Sequence, residues 1–332
     1  MKVEIPYYED TSRISRSSLN WFKVSPRYFK DKLDGLIPNE TSSAMENGTM
    51  KHAYLLQQDE FKKMYRILDF GVPTSAQQKQ FCLDYIASKA TTVNLKALEA
   101  FKSNYSISGK TDEELALKGL EMALKLKSYI KWLRGNETGQ KTMTWAQLNS
   151  LKKTKENVIL HKKANELLFK NGDSSDYFSQ NEFHINWEIP IIGGGVLQCK
   201  SLLDRIVIDY ENKIVKLIDI KTTISNADFT TSFKKYGYGM QMAFYWMAIV
   251  WYFKNELNID IEEFKNETYI IAIENGSNEV RVFDVPENTI IYEIANITQT
   301  LSQIDWHMRN NLWNYSREYY DGDGTESLLY DI

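Results

Sequence analysis

VLQCKSLLDRIVIDYENKIVKLIDIKTT, residues 196–223, is the stretch on which the fold turns. Two runs rich in Ile, Val and Leu flank the turn residues Glu211-Asn212, the pattern of a β-hairpin. Each run is interrupted by one carboxylate, Asp204 in SLLDRIVID and Asp219 in KLIDIKTT. Burying a charge is expensive unless it is paired or bound to metal, so two carboxylates on adjoining strands point to a cation between them. Side chains alternate along a strand, which puts Asp219 and Lys221 on one face while Ile220 points to the core. A D-x-K tripeptide alone is common, and its ordinary reading is an exposed strand ion pair. Its surroundings decide the matter.

Upstream, FHINWEIPII (residues 183–192) and the Gly193-Gly194-Gly195 turn add a third strand, making an antiparallel meander. Downstream, SFKKYGYGMQMAFYWMAIVWYFKNEL (232–257) reads as one long helix, so apolar that it must be buried on much of its circumference and pack across the sheet. Two strands, ETYIIAIE and NEVRVFDV, precede a last helix from about Pro286 to Tyr315, and residues 316–332 read as a flexible acidic tail. Toward the amino terminus, Leu19, Phe22, Phe29 and Leu33 mark two short helices, with Ser25-Pro26 capping the second and Gly35 ending it. Gly48-Thr49 start a helix that carries His52, Leu55 and Leu56. Residues 76–171 are helical in pattern throughout, clearest where Thr111 and Glu114 form a capping box, and read as a helical insertion within a single domain spanning 1–332. The expected class is α/β (α+β), a central mixed sheet flanked by helices.

Composition narrows the function. The chain has 332 residues, 43% hydrophobic and 25% charged, ordinary for a folded protein, and only two cysteines, Cys82 and Cys199, too few for an iron–sulfur cluster. The opening residues lack an apolar signal core and no stretch approaches the ~18 apolar residues of a membrane span, so no membrane is expected and the setting reads as cytoplasmic. The net charge of −4 is unlike a passive nucleic-acid coat, so DNA contact would need a local patch. Arg13, Arg16, Lys23, Arg27, Lys30 and Lys32 form one candidate, and Lys152, Lys153, Lys155, Lys162 and Lys163 another. Each reads first as a solvated helix face.

Several ordered blocks resemble the PD-(D/E)XK nucleases, most closely the branch of RecE-like exonuclease VIII, phage recombination exonucleases and the RecB nuclease domain. They are S-x-S-x-L-x-x-F-x-x-S-P-x-x-F from Ser15 to Phe29, GTMKHAYLL with His52, the Asp204, Asp219 and Lys221 set followed by Thr222-Thr223, and GYGMQMAFY with Gln241 and Tyr245 four apart. The resemblance implies a restriction-endonuclease-like core in which Asp204 and Asp219 hold Mg²⁺, with Mn²⁺ able to substitute, and Lys221 assists the attacking water. His52 would add a ligand or phosphate contact, and Glu188 in WEIP an outer carboxylate. Gln241, Tyr245, Lys200 and Thr222 would line the substrate side. Where members often carry a second basic residue, this chain has Leu202 and keeps only Lys200. The implied activity is exonuclease digestion of double-stranded DNA in phage-type recombination, by a homo-oligomer that hands single strands to an annealing protein. The alternatives are a structure-specific or CRISPR-adaptation-like endonuclease, the latter disfavoured by the absent cysteine cluster, or a DNA-binding module that has lost catalysis.

Overall fold

The computed structural model describes residues 7–38, 42–67, 72–105, 107–135, 139–170 and 176–326. In chain order it runs α1 (Arg16–Val24), α2 (Pro26–Leu33), α3 (Ser43–Leu56), α4 (Gln58–Met64), β1 (Tyr65–Ile67), α5 (Ala76–Ala87), α6 (Val93–Asn104), α7 (Asp112–Lys125), α8 (Lys127–Gly135), β2 (Lys141–Met143), α9 (Trp145–Leu160) and α10 (Lys162–Phe169). There follow β3 (Tyr177–Pro190), β4 (Val196–Asp209), β5 (Ile214–Thr223), α11 (Phe229–Lys235), α12 (Tyr238–Tyr252), β6 (Lys265–Glu274), β7 (Val280–Asp284), α13 (Glu287–Asn310) and α14 (Arg317–Asp321). Among the described residues no helix is long and apolar enough to cross a membrane.

The chain divides into two compact units, one of Met1–Leu56 with Lys153–Ile332 and the other of Gln57–Lys152. The first is built on a five-stranded sheet in the order β3-β4-β5-β6-β7, antiparallel except where β5 and β6 run parallel, so the expected meander and mixed sheet are both present. One face carries Phe183, Ile185, Ile206, Leu217 and Ile270 against α1, α2, α12 and α13. The other carries Val207, Ile218, Ile220 and Ile271 against Leu55 and Leu56 of α3, Val158 of α9 and Leu167 and Leu168 of α10. The sheet is thus a three-layer core with apolar residues on both sides.

Local chemistry explains the turns. The Gly193–Gly195 corner packs so tightly on α13 that a Cβ at Gly194 would fall 2.2 Å from Asp305 Oδ2, while the Gly195 amide donates to Asp305 Oδ1 at 3.1 Å. The long apolar helix is not continuous. Gly237 adopts φ +60° and separates α11 from α12, because a left-handed residue ends one helix and only glycine does so without strain. Gly48 does not start its helix either; it sits inside α3. Of the tail, 317–321 form α14, and 327–332 lie outside the described residues.

The second unit has its own core of Phe81, Ala97, Phe101, Leu115, Tyr129 and Ile130 and a short parallel ladder of β1 with β2. Its boundaries, 57 and 152, differ from the 76–171 read from the helical pattern. The reason is packing: Val158, Ala164, Leu167 and Leu168 lie on the sheet, and Thr154 Oγ1 donates to Asn278 Oδ1 at 2.8 Å. A helical period does not say which body a helix packs on.

Phe244, 0% exposed in α12 and 5.0 Å from the Trp187 ring, fills the contact between helix and sheet. Phe244→Ala is expected to lower stability by about 3–5 kcal/mol, read as a shift of the urea midpoint at unchanged slope.

Candidate functional site

The site forms where β4 and β5 part. Their ladder runs from Asp209 opposite Ile214 to Arg205 opposite Ile218 and stops. Beyond it the Ile220 amide donates to Asp204 Oδ2 at 2.7 Å, so a side chain takes the place of the missing strand. Asp204 is also skipped in the ladder with β3, which pairs Asn181 with Arg205 and Phe183 with Leu203. Opposite it lies Glu182, at φ +51°, a left-handed conformation rare for a non-glycine residue. Leu203 and Ile206, three residues apart, both face the α12 layer, so the strand reverses its faces here.

His52 reaches this break from α3. Its Nε2 lies 3.0 Å from Asp204 Oδ1 and its Nδ1 3.1 Å from Glu182 Oε1. With both ring nitrogens facing carboxylates, the imidazolium is the favoured form. Burial opposes that charge, yet the Asp204 and Glu182 carboxylates raise the His52 pKa to about 9. Gly48, one turn earlier, explains the approach: a Cβ there would come 3.2 Å from Thr222 Oγ1 of β5.

From the other layer, Gln241 Nε2 donates to Asp219 Oδ1 at 3.0 Å and to Tyr245 Oη at 3.1 Å. Asp219 is fully buried, and its Oδ2 lies 2.5 Å from Lys221 Nζ. The ammonium also lies 5.1 Å from the centre of the Tyr238 ring. Burial lifts the Asp219 carboxyl above the ordinary range against the pull of Lys221, and lifts Glu182 to about 7. Burial pushes Asp204 the same way, but the His52 imidazolium and Lys221 hold it below its ordinary value. Lys221 stays a cation, since Asp219 and Asp204 outweigh the burial that opposes its charge.

His52, Glu182 and Asp204 each offer a ligand atom, all within 4.8 Å of one another. Glu182 Oε1 and Asp219 Oδ2 are buried, face the cations named above and accept no aligned hydrogen bond. One imidazole and two carboxylates with under-used oxygens, beside the Asp219 carboxylate, fit a divalent cation such as Mg²⁺ or Mn²⁺.

The structure brings together His52, Asp204, Asp219, Lys221, Gln241 and Tyr245 and leaves three expected residues elsewhere. Glu188 is exposed and accepts from Gln198 Nε2 at 2.9 Å; six strand residues, about 20 Å, separate it from Glu182. Lys200 is buried, its ammonium donating to the carbonyls of Tyr7 and Asp10, so it fastens the amino-terminal segment instead of facing substrate. Thr222 lies beside Gly48 on the side of the sheet away from Lys221. Gln241 and Tyr245 are both 8% exposed, Gln241 holding Asp219 and Tyr245 accepting from Gln241.

Glu182 was missed, although the hairpin register carried the signal: Asp204 follows Gly193 by as many residues as Glu182 precedes it. Composition marks Arg16 only as part of a basic patch. Its Nη2 donates to the Tyr236 and Gly237 carbonyls at the start of α12, close enough to feel the Asp219 charge. Half of the other patch residues are paired with carboxylates, Arg13 with Asp10, Arg27 with Asp31, Lys30 with Asp34, Lys153 with Glu156 and Lys163 with Glu166.

The protonation states set a pH dependence for cation binding. Ligands must shed protons, so Mn²⁺ affinity is expected to rise with pH through about 7 as Glu182 ionises, and to keep rising toward about 9 if His52 ligates through nitrogen. Titration calorimetry in buffers of different ionisation enthalpy reads the released protons; a pH-independent affinity would remove these groups from the ligand set.

No protein-family model and no curated protein sequence matches the chain. Among solved structures, SSO0001 aligns over 74% of this chain and 94% of its own at 14% identity, with a TM-score of 0.25. The fold is similar to that of a Eubacterium rectale protein described as a candidate exonuclease, with a TM-score of 0.51 and 12% identity over 100% of this chain and 96% of the other.

Proposed function

We propose that this protein is a divalent-metal-dependent DNA nuclease of the PD-(D/E)XK type that digests duplex DNA from its ends. The observation that carries the reading is the convergence of His52, Glu182 and Asp204 on one point, with Asp219 and Lys221, themselves paired at 2.5 Å, beside it. His52, Glu182, Asp204 and Asp219 would hold the cation. A bound Mg²⁺ or Mn²⁺ supplies an acidified water and neutralises charge on a phosphodiester.

The chain's own residues have separable tasks. Asp219, aligned by Gln241, holds Lys221 by its Oδ2. The Lys221 ammonium keeps its proton at neutral pH, so it serves as a fixed positive charge beside the attacking water and the developing phosphorane, not as a general base. The Tyr238 ring, 5.1 Å from the ammonium, shields one side of it from bulk water. Action from an end, a homo-oligomeric ring and transfer of single strands to an annealing protein in phage-type recombination rest on the sequence resemblance. The description of the Eubacterium rectale protein agrees with the first.

End-labelled linear duplex and closed circular plasmid, each with Mg²⁺ or EDTA, test the reading. The wild type is expected to degrade the linear form only, and only with metal. Lys221→Ala should lose about 10²–10³ in rate while keeping Mn²⁺ affinity, because it removes a charge that acts in the transition state. Asp204→Ala should lose both. Cleavage of the circle would make it an endonuclease, and no cleavage of either would leave a binding module. Native mass spectrometry is expected to show an oligomer; a monomer would remove the ring.

A further inference from the structure

The unit Gln57–Lys152 carries a surface that the metal-ligand cluster does not use. Its helices α6 and α7 approach closely, since a Cβ on Gly119 would fall 2.4 Å from the Ala97 carbonyl oxygen. Alongside this contact lie two cavities of about 410 Å³ each that share Leu120. Among the α7 residues lining them, Leu117, Leu120 and Leu124 form one stripe at helical spacing, and Asp112 and Glu113 line the first cavity at the end away from α8. Leu117 is 60% exposed, Leu124 62% and Val93 55%. Single exposed leucines are ordinary, but several on one groove mark a contact surface.

One end of the groove is cationic. Lys127, Lys131 and Arg134 follow on α8 at i, i+4 and i+7 and wall the second cavity. Among the described residues none of the three is in an ion pair, whereas Lys62, Lys63, Lys102 and Lys110 of the same unit are. The unit holds 15 Lys and Arg against 10 Asp and Glu, net +5, and the rest of the chain 25 against 34, net −9. The unit that holds the apolar groove is thus the net-positive one, and Lys127, Lys131 and Arg134 put part of that charge on the second cavity.

We propose that this groove binds an acidic, amphipathic helical segment of another protein, with aliphatic side chains seated on the Leu117–Leu124 stripe and carboxylates meeting Lys127, Lys131 and Arg134. Helix-in-groove recognition uses anchors at this spacing, and the charge complementarity sets orientation. A nucleic acid fits less well: the floor is aliphatic and Tyr85, the aromatic residue lining it, is 8% exposed, leaving no ring for a base to stack on.

The test uses the full chain and a fluorescein-labelled designed peptide of about 18 residues, five helical turns, with Leu on one face and Glu on the other. Controls are a scrambled peptide, the same peptide with Gln for Glu, and a short DNA duplex as competitor. The designed peptide is expected to bind. Lys131→Glu/Arg134→Glu should weaken it by about tenfold or more, as a charge reversal across a contact does, and Leu124→Asp should abolish it, with thermal unfolding unchanged in both. DNA cleavage by Lys131→Glu/Arg134→Glu should keep its rate, which separates this inference from the nuclease reading. Equal binding of the scrambled peptide, displacement by duplex, or self-association of the chain lost in Leu124→Asp would each overturn it.

Discussion

Where β4 and β5 separate, the Ile220 amide has no strand partner and donates instead to Asp204 Oδ2 at 2.7 Å. Much of the site depends on this substitution of a side chain for a backbone acceptor. It keeps a buried carboxylate ionised and satisfies an amide that would otherwise be stranded. It also opens the sheet between its two helical layers, so that His52 can reach from α3 on one side and Gln241 from α12 on the other. The half of β4 that loses β5 acquires another neighbour: Ile14 pairs with Cys199, its amide donating to Gln198 and its carbonyl accepting from Lys200. The buried Lys200 ammonium then fixes the segment ahead of Ile14 through two carbonyls.

Three carboxylates, Glu182, Asp204 and Asp219, meet two cations, His52 and Lys221, in a largely buried space. As a purely structural arrangement this is poor, because desolvation raises the pKa of Glu182 to about 7 and lifts that of Asp219, and one oxygen of each, Glu182 Oε1 and Asp219 Oδ2, has no aligned donor. Glu182 adds backbone strain at φ +51°. The unsatisfied charge is what a bound cation would relieve, and the strain sits at the same point.

The helical scaffold shows the same economy. Gly237 breaks the apolar helix so that α12 begins beside the sheet, placing Tyr238, Gln241 and Tyr245 along the wall that holds Asp219 and Lys221. Arg16 ties the carbonyls at that break to α1, so the amino-terminal helices are coupled to the site through one side chain.

Asp204, Asp219 and Lys221 were legible because a charge interrupting an apolar strand stands out, and period-two alternation says which neighbours share a face. Gln241 and Tyr245 were legible as residues four apart on a helix. The mixed sheet and the buried α12 followed from the same local periodicities. Local periodicity does not say what lies across a gap in the chain. The register about Gly193 set Glu182, not Glu188, opposite Asp204; the return of the amino-terminal segment buried Lys200; and packing assigned residues 153–170 to the sheet. The sequence by itself determined which charged side chains interrupt apolar strands and which polar ones share a helix face, since residue type and spacing are local properties. Only the tertiary structure decided which of them meet, because pairing, splay and burial depend on contacts between residues far apart in the chain.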